Sequence, residues 1–201
     1  MSHYFKYIIP IVAVKLVIFF IISCNADDFD QKSDTMQFYV DTSLLANSIY
    51  LENSNISLRP PVNWIPISND EMERLSKTIQ AGENIFQINL KKAYKSPEGA
   101  LLIINQVSSK IKNFAYIPHD YVELLSEQFN IENVPFDIFD IHQVPIRQYL
   151  INIKEVVIIK LFISANTDYQ LDYIIPKNIY EKELKKIESS IGSINKKKET
   201  K

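Results

Sequence analysis

The residues best suited to chemistry lie in the stretch FDIFDIH, Phe136 to His142. Side chains two apart on a β-strand point to the same face, so Asp140 and His142 would look out together, with Asp137 or Asp120 as further carboxylates. Such a group would hold a divalent cation, and a metal-bound water would then serve hydrolysis. A zinc site needs a third and a fourth ligand, however, and the pair alone reads far more readily as a polar strand face or a surface salt bridge. His119 is the other histidine downstream of the N-terminal stretch. Nucleophilic chemistry has still less behind it, because a reactive serine needs a base and an acid to orient it. Ser189 and Ser190 fall in a helical pattern where close packing or solvent contact explains them, and no serine stands in a G-x-S-x-G setting. The three glycines, Gly82, Gly99 and Gly192, are far apart, whereas a phosphate loop or dinucleotide fingerprint needs them clustered. The expectation is a protein without a catalytic residue, cofactor or metal ion.

The single cysteine carries the clearest chemical signal. Met1 to Lys15 holds Lys6 and Lys15 and no acid, and it runs into LVIFFII, Leu16 to Ile22. A membrane-spanning helix needs about 20 apolar residues, and Lys15 breaks the run well short of that. A positive start, a short apolar core and a small residue describe a secretory signal peptide over residues 1–23. IISC resembles the lipobox of bacterial lipoproteins, in which the thiol receives a diacylglycerol and cleavage leaves the modified cysteine first. The resemblance implies that Cys24 is lipidated and that the small Ser23 gives the peptidase access. Removing Lys6 and Lys15 would leave 20 basic residues, two fewer than the 22 of the whole chain, against 24 acidic ones, a formal −4. The next segment, NADDFDQKSDT, carries four acids and reads as a polar tether, assigned with Cys24 to residues 24–46. It also resembles the acidic export signal of surface lipoproteins in Bacteroidetes-type bacteria. The implied location is the bacterial envelope, membrane-bound through the lipid, on the periplasmic or surface-exposed side of the outer membrane.

The 201-residue chain is 46% hydrophobic and 23% charged, with a pI near 6.0. This composition suits one globular domain, expected over residues 47–195 and followed by a basic tail at 196–201. It argues against a nucleic-acid partner, which would require a basic face. One cysteine allows no internal disulfide.

Several elements must position any site. NSIYLENSNISLRPPVNW alternates around Asn53 to Asn55 and predicts a hairpin, with Ile49 and Leu51 facing Ile56 and Leu58; Pro60 and Pro61 end it. Ser68 and Glu71 form a capping box ahead of Met72, Leu75 and Ile79, and Gly82 stops that helix. Two strands follow around a turn at Ser96 to Gly99, and a second helix is expected from Pro118 through Tyr121, Leu125 and Phe129. A run of β-rich segments follows, broken at Pro145, Lys154 and Asn166. VVIIKLFI, Val156 to Ile163, is the least polar of them and is expected at the sheet centre. A second capping box, Asn178 with Glu181, is expected to open a final helix whose stripe is Tyr180, Leu184, Ile187, Ile191 and Ile194. The order predicts an α+β fold: an antiparallel sheet covered by helices.

ISLRPPVNW resembles the opening of PsbP-like and Mog-like domains, and YQLDYIIPKNIYEKELKKIESSIGSI, Tyr169 to Ile194, resembles their ending. The likeness would span about Asn47 to Ile194 and implies an α/β/α sandwich around a mainly antiparallel sheet. It implies no catalytic residues, since such domains act mostly as accessory or binding proteins. The expected role is therefore a lipid-anchored, non-enzymatic module that binds an envelope protein. Its aromatic contacts would come from residues such as Tyr94, Tyr116 and Tyr149. Two alternatives are a small-ligand binder with a pocket between sheet and helices, and a metal-dependent hydrolase around Asp140 and His142.

Overall fold

The structure, a computed structural model, describes residues 38–82, 86–108 and 119–196. Cys24, Tyr116 and the tail beyond Lys196 lie outside the described residues, as do the side chains of His119 and Asp120.

The first hairpin forms as its alternation requires. Strand β1 (Ile49–Leu51) pairs antiparallel with β2 (Ile56–Leu58), Leu51 opposite Ile56. Asn53 and Asn55 take φ of 58° and 56° in the connecting turn, a left-handed conformation that asparagine tolerates. A two-residue strand β3 (Ile65–Pro66) leads into helix α1 (Asn69–Gly82). Its capping box closes as expected: Ser68 N donates to Glu71 Oε2 at 2.9 Å and Glu71 N donates to Ser68 Oγ at 3.3 Å.

Strands β4 (Gln87–Lys95) and β5 (Leu101–Ser108) form a hairpin whose turn places Gly99 at φ 98°, a left-handed backbone that a side chain would strain. Helix α2 (His119–Phe129) precedes four strands: β6 (Phe136–Ile141), β7 (Val144–Asn152), β8 (Val156–Ile163) and β9 (Asp168–Pro176). The chain then forms a short 3-10 turn at Lys177–Ile179, helix α3 (Tyr180–Gly192) and strand β10 (Asn195–Lys196).

The main sheet has the order β3-β4-β5-β9-β8-β7-β6 with every neighbour antiparallel, and β1, β2 and β10 form a second, small sheet. On one face, Leu102, Ile104, Leu161, Leu171 and Tyr173 pack against Ile187, Ile191 and Ile194 of the closing segment and against Leu51, Ile56 and Leu58 of the small sheet. On the other, Val107, Ile158, Phe162, Tyr149 and Ile151 pack against Phe86 and against Tyr121 and Leu125 of α2, with Ile79 of α1 at the margin. Each fully buried side chain of this kind contributes about 1.5–3 kcal/mol. The protein is thus an α+β sandwich, its antiparallel sheet covered on both faces. Among the described residues no helix is long and apolar enough to cross a membrane.

Four expectations shift. The central strand is β9, with β8 beside it; Gln170 and Asp172 make β9 look less apolar than its position. The second capping box is absent: Ile179 is the N-cap of α3 and no side chain caps it, because the 3-10 turn already leads the chain into the helix. Pro145 does not break the strand run but lies inside β7 opposite Asp140. Finally, packing begins before Asn47. Phe38 lies 5.8 Å from the ring of Phe139, Leu45 is buried, and Ala46 N donates to Pro60 O at 2.8 Å. Residues 38–46 therefore belong to the domain rather than to a tether, and Lys196 pairs with Ile56 rather than opening a tail.

Candidate functional site

The structure places the candidate metal group around Asp140 and His142 at a hairpin turn. His142 is not on a strand face: with Gln143 it forms the two-residue turn between β6 and β7, at φ of 48° and 64°. Positive φ at both central positions matches the twist of the flanking strands. The exposed imidazole places Nδ1 2.8 Å from Ile194 O, tying this hairpin to the chain after α3. Asp140 stays on β6 and Asp137 is exposed near its start. Among the described residues no group of three or more His, Cys, Asp or Glu side chains is placed to hold a metal ion.

Ser189 and Ser190 are both buried and committed to structural partners. Ser190 Oγ donates to Arg59 O at 2.7 Å and lies 2.9 Å from Tyr173 Oη, while Ser189 Oγ accepts from Asp41 N at 3.2 Å. Ser193 Oγ accepts from Arg59 N at 2.8 Å. Burial pushes the Tyr173 phenol well above its ordinary pKa. These hydroxyls stitch β2 and the N-terminal segment to α3. Trp64 belongs to the same seam: its Nε1 donates to Oε2 of the fully buried Glu183 at 3.0 Å, and Lys186 Nζ donates to Oε1 at 2.7 Å. Tyr94 and Tyr149, considered as surface aromatics, are core residues. Burial raises the Tyr149 phenol, and the neighbouring Arg147 guanidinium pulls it partly back.

The least expected chemistry lies on the second face of the main sheet, in the three adjacent strands β5, β9 and β8. Asn105 stands opposite Gln170, and Asp172 opposite Lys160, in successive cross-strand rows. Gln170 Nε2 donates to Asp172 Oδ2 at 2.7 Å, and Lys160 Nζ is 3.1 Å from Asp172 Oδ1. The Lys160 contact is an ion pair by distance, yet Oδ1 accepts no hydrogen bond of sound geometry. Both amide atoms of Asn105 and Oε1 of Gln170 also lack partners. A buried polar group left this way costs about 1–3 kcal/mol, so the seam is maintained at the expense of stability. No sequence motif pointed to it, because Asn105, Lys160, Gln170 and Asp172 are spread over 68 positions; only their alternation within apolar strands hinted that they face inward.

The fold class is that of an antiparallel α/β/α sandwich, and this polar seam lies among the apolar side chains of one sheet face. No protein-family model and no curated protein matches the chain. Among solved structures the chain is similar to the solution structure of cyanobacterial PsbP (CyanoP) from Synechocystis sp. PCC 6803, a PsbP-like protein. The TM-score is 0.49 at 6% identity, covering 74% of this chain and 90% of that one. A likeness at that score and identity says nothing about activity.

Proposed function

We propose that the chain is a lipid-anchored, non-enzymatic protein of the bacterial cell envelope whose folded domain binds a protein partner as an accessory module. The observation that carries this reading is the unique Cys24 of IISC, at the end of the apolar run and fourteen residues ahead of Phe38. Fully extended chain spans at most ~3.6 Å per residue, which would keep the domain within roughly 50 Å of the bilayer. Each buried lipid methylene contributes about 0.8 kcal/mol, so two or more acyl chains hold such a domain firmly. Confinement near the membrane raises its effective concentration toward membrane partners. Exposed aromatic area at Tyr39, Tyr50 and Phe136 suits a protein contact, and the structural engagement of Ser189 and Ser190 fits a role without nucleophilic catalysis.

The test is in-cell crosslinking of the full-length protein beside Cys24→Ala, with captured species identified by mass spectrometry and membrane association followed by fractionation. Loss of both membrane association and a dominant envelope partner in Cys24→Ala is expected. Unchanged fractionation of that variant would overturn the anchor. A second reading, a small-ligand binder, is favoured by one observation: the Asn105 amide and the Gln170 Oε1 atom, buried on one sheet face without hydrogen-bond partners.

A further inference from the structure

The two ends of the main sheet differ. Beside β4 the outer edge is blunted: β3 pairs with Tyr94 and Lys95, the ladder bulges at Lys91, and Lys92 follows it. Bulges and lysines keep an edge strand from pairing with another chain. At the other end, β6 is the last strand of the sheet among the described residues, in unbroken register with β7 from Phe136 to Ile141. One bond shows which of its backbone groups face outward. Leu150 N donates to Pro135 O at 3.0 Å, which makes these two a hydrogen-bonded pair. Antiparallel ladders alternate, so Asp137, Phe139 and Ile141 turn their backbone groups toward β7. The N–H and C=O groups of Phe136, Ile138 and Asp140 point the other way, to the outer edge.

The side chains select what this edge would accept. Phe136 is 46% exposed and stacks on Tyr149 at 6.0 Å, with Ile138 half-buried two residues on. Asp137 is exposed and Asp140 half-buried. Two copies of β6 paired antiparallel about Ile138 would set their Asp137 carboxylates on one diagonal of the same face, and like charges so placed repel. A strand carrying cations meets attraction at the same positions.

We propose that β6 is a docking edge for an extended basic segment of a partner protein, which joins the main sheet as a further antiparallel strand. Lysine or arginine stands opposite Asp137 and Asp140, and apolar side chains stand opposite Phe136 and Ile138. Main-chain bonds supply the affinity and the alternating side chains the selectivity. The inference rests on the accessory-module reading and names its surface and the chemistry of its partner. Cys24 plays no part in it, so its failure leaves the anchor, and any partner captured by crosslinking, untouched.

The test uses ¹⁵N-labelled full-length protein in detergent micelles and the capped peptide Thr-Lys-Val-Ile-Lys-Phe-Thr, whose register sets its two lysines opposite Asp140 and Asp137. Saturable shifts and slowed hydrogen exchange at the backbone amides of Phe136, Ile138 and Asp140 are expected. Methylating the peptide N–H of isoleucine should abolish them by removing the central ladder bond. Asp137→Lys should weaken binding about fivefold or more, and a peptide with glutamate for its second lysine should restore it. Should that variant not fold, the methylated peptide decides. No saturable shift, or equal binding by a peptide with both lysines replaced by glutamate, would overturn the proposal. So would protection of the three amides before peptide is added: in a monomer the chain itself covers the edge, and in a dimer by analytical ultracentrifugation a second copy does.

Discussion

Replacing Glu183 by alanine should unlock the closing helix, and the size of the effect follows from what the carboxylate holds. Glu183 is fully buried, accepts from Trp64 Nε1 at 3.0 Å and from Lys186 Nζ at 2.7 Å, and Trp64 in turn meets Tyr173 edge-on at 6.4 Å. Without it the indole N–H is buried with no acceptor, a cost of about 1–3 kcal/mol. The space vacated adds about 1 kcal/mol, while the loss for Lys186, still partly in water, is under about 0.5 kcal/mol. The total is close to 3 kcal/mol, which for a domain of this size lowers Tm by about 6–12 °C. Glu183→Gln keeps an acceptor and nearly the same volume and should cost about a third as much. The assay is thermal unfolding of the full-length protein followed by far-UV circular dichroism, run as a double-mutant cycle with Trp64→Phe. In the Trp64→Phe background there is no N–H to orphan, so Glu183→Ala should cost about 1.5 kcal/mol less. A coupling below about 0.5 kcal/mol would refute the claim that this bond, rather than general packing, holds α3 to the loop after β2.

Two further outcomes follow from local geometry. A Cβ on Gly192 would meet Phe38 Cβ at 2.5 Å and Val40 Cγ2 at 2.8 Å, so Gly192→Ala should displace residues 38–40 and cost about 1–3 kcal/mol. Limited proteolysis should then cut upstream of Leu45 faster, and an unchanged cleavage rate would deny the close packing. The Lys95 ammonium, helped by Ser68, holds the Glu71 carboxyl at about 2, below its unfolded value of about 4.3. Its contribution to stability is therefore complete above the unfolded value and is lost as pH falls toward 2. An NMR titration of Glu71 should find this depression, Glu71→Gln should flatten that part of the acid limb, and a midpoint near 4.3 would remove the bridge from the account.

Local signals were readable wherever a local cause sufficed. The capping box at Ser68 and Glu71 needs only residues three apart, and it forms. The hairpin around Asn53 to Asn55 needs alternation and residues tolerant of positive φ, and it also forms. The Asn178 and Glu181 box had the same spacing but failed, because β9 delivers the chain into α3 through a 3-10 turn. Apolarity misled about the sheet centre for a related reason: β8 is the more apolar strand, yet β9 lies in the middle and carries the buried Gln170 and Asp172.

What the sequence alone determined is the set of properties that short stretches encode: α+β class, the stripe on α3, the hairpins, and the lipobox-like run ending at Cys24 as an expectation of anchoring. Hydrophobic period and turn chemistry act over a few residues and need no knowledge of the fold. The tertiary structure alone decided which distant polar groups meet. It paired Trp64 with Glu183 and Ser190 with Arg59, moved His142 from a strand face into a turn, and gathered Asn105, Lys160, Gln170 and Asp172 on one buried face. Strand order and register set those meetings, and both emerge from packing the whole chain at once rather than from any segment of it.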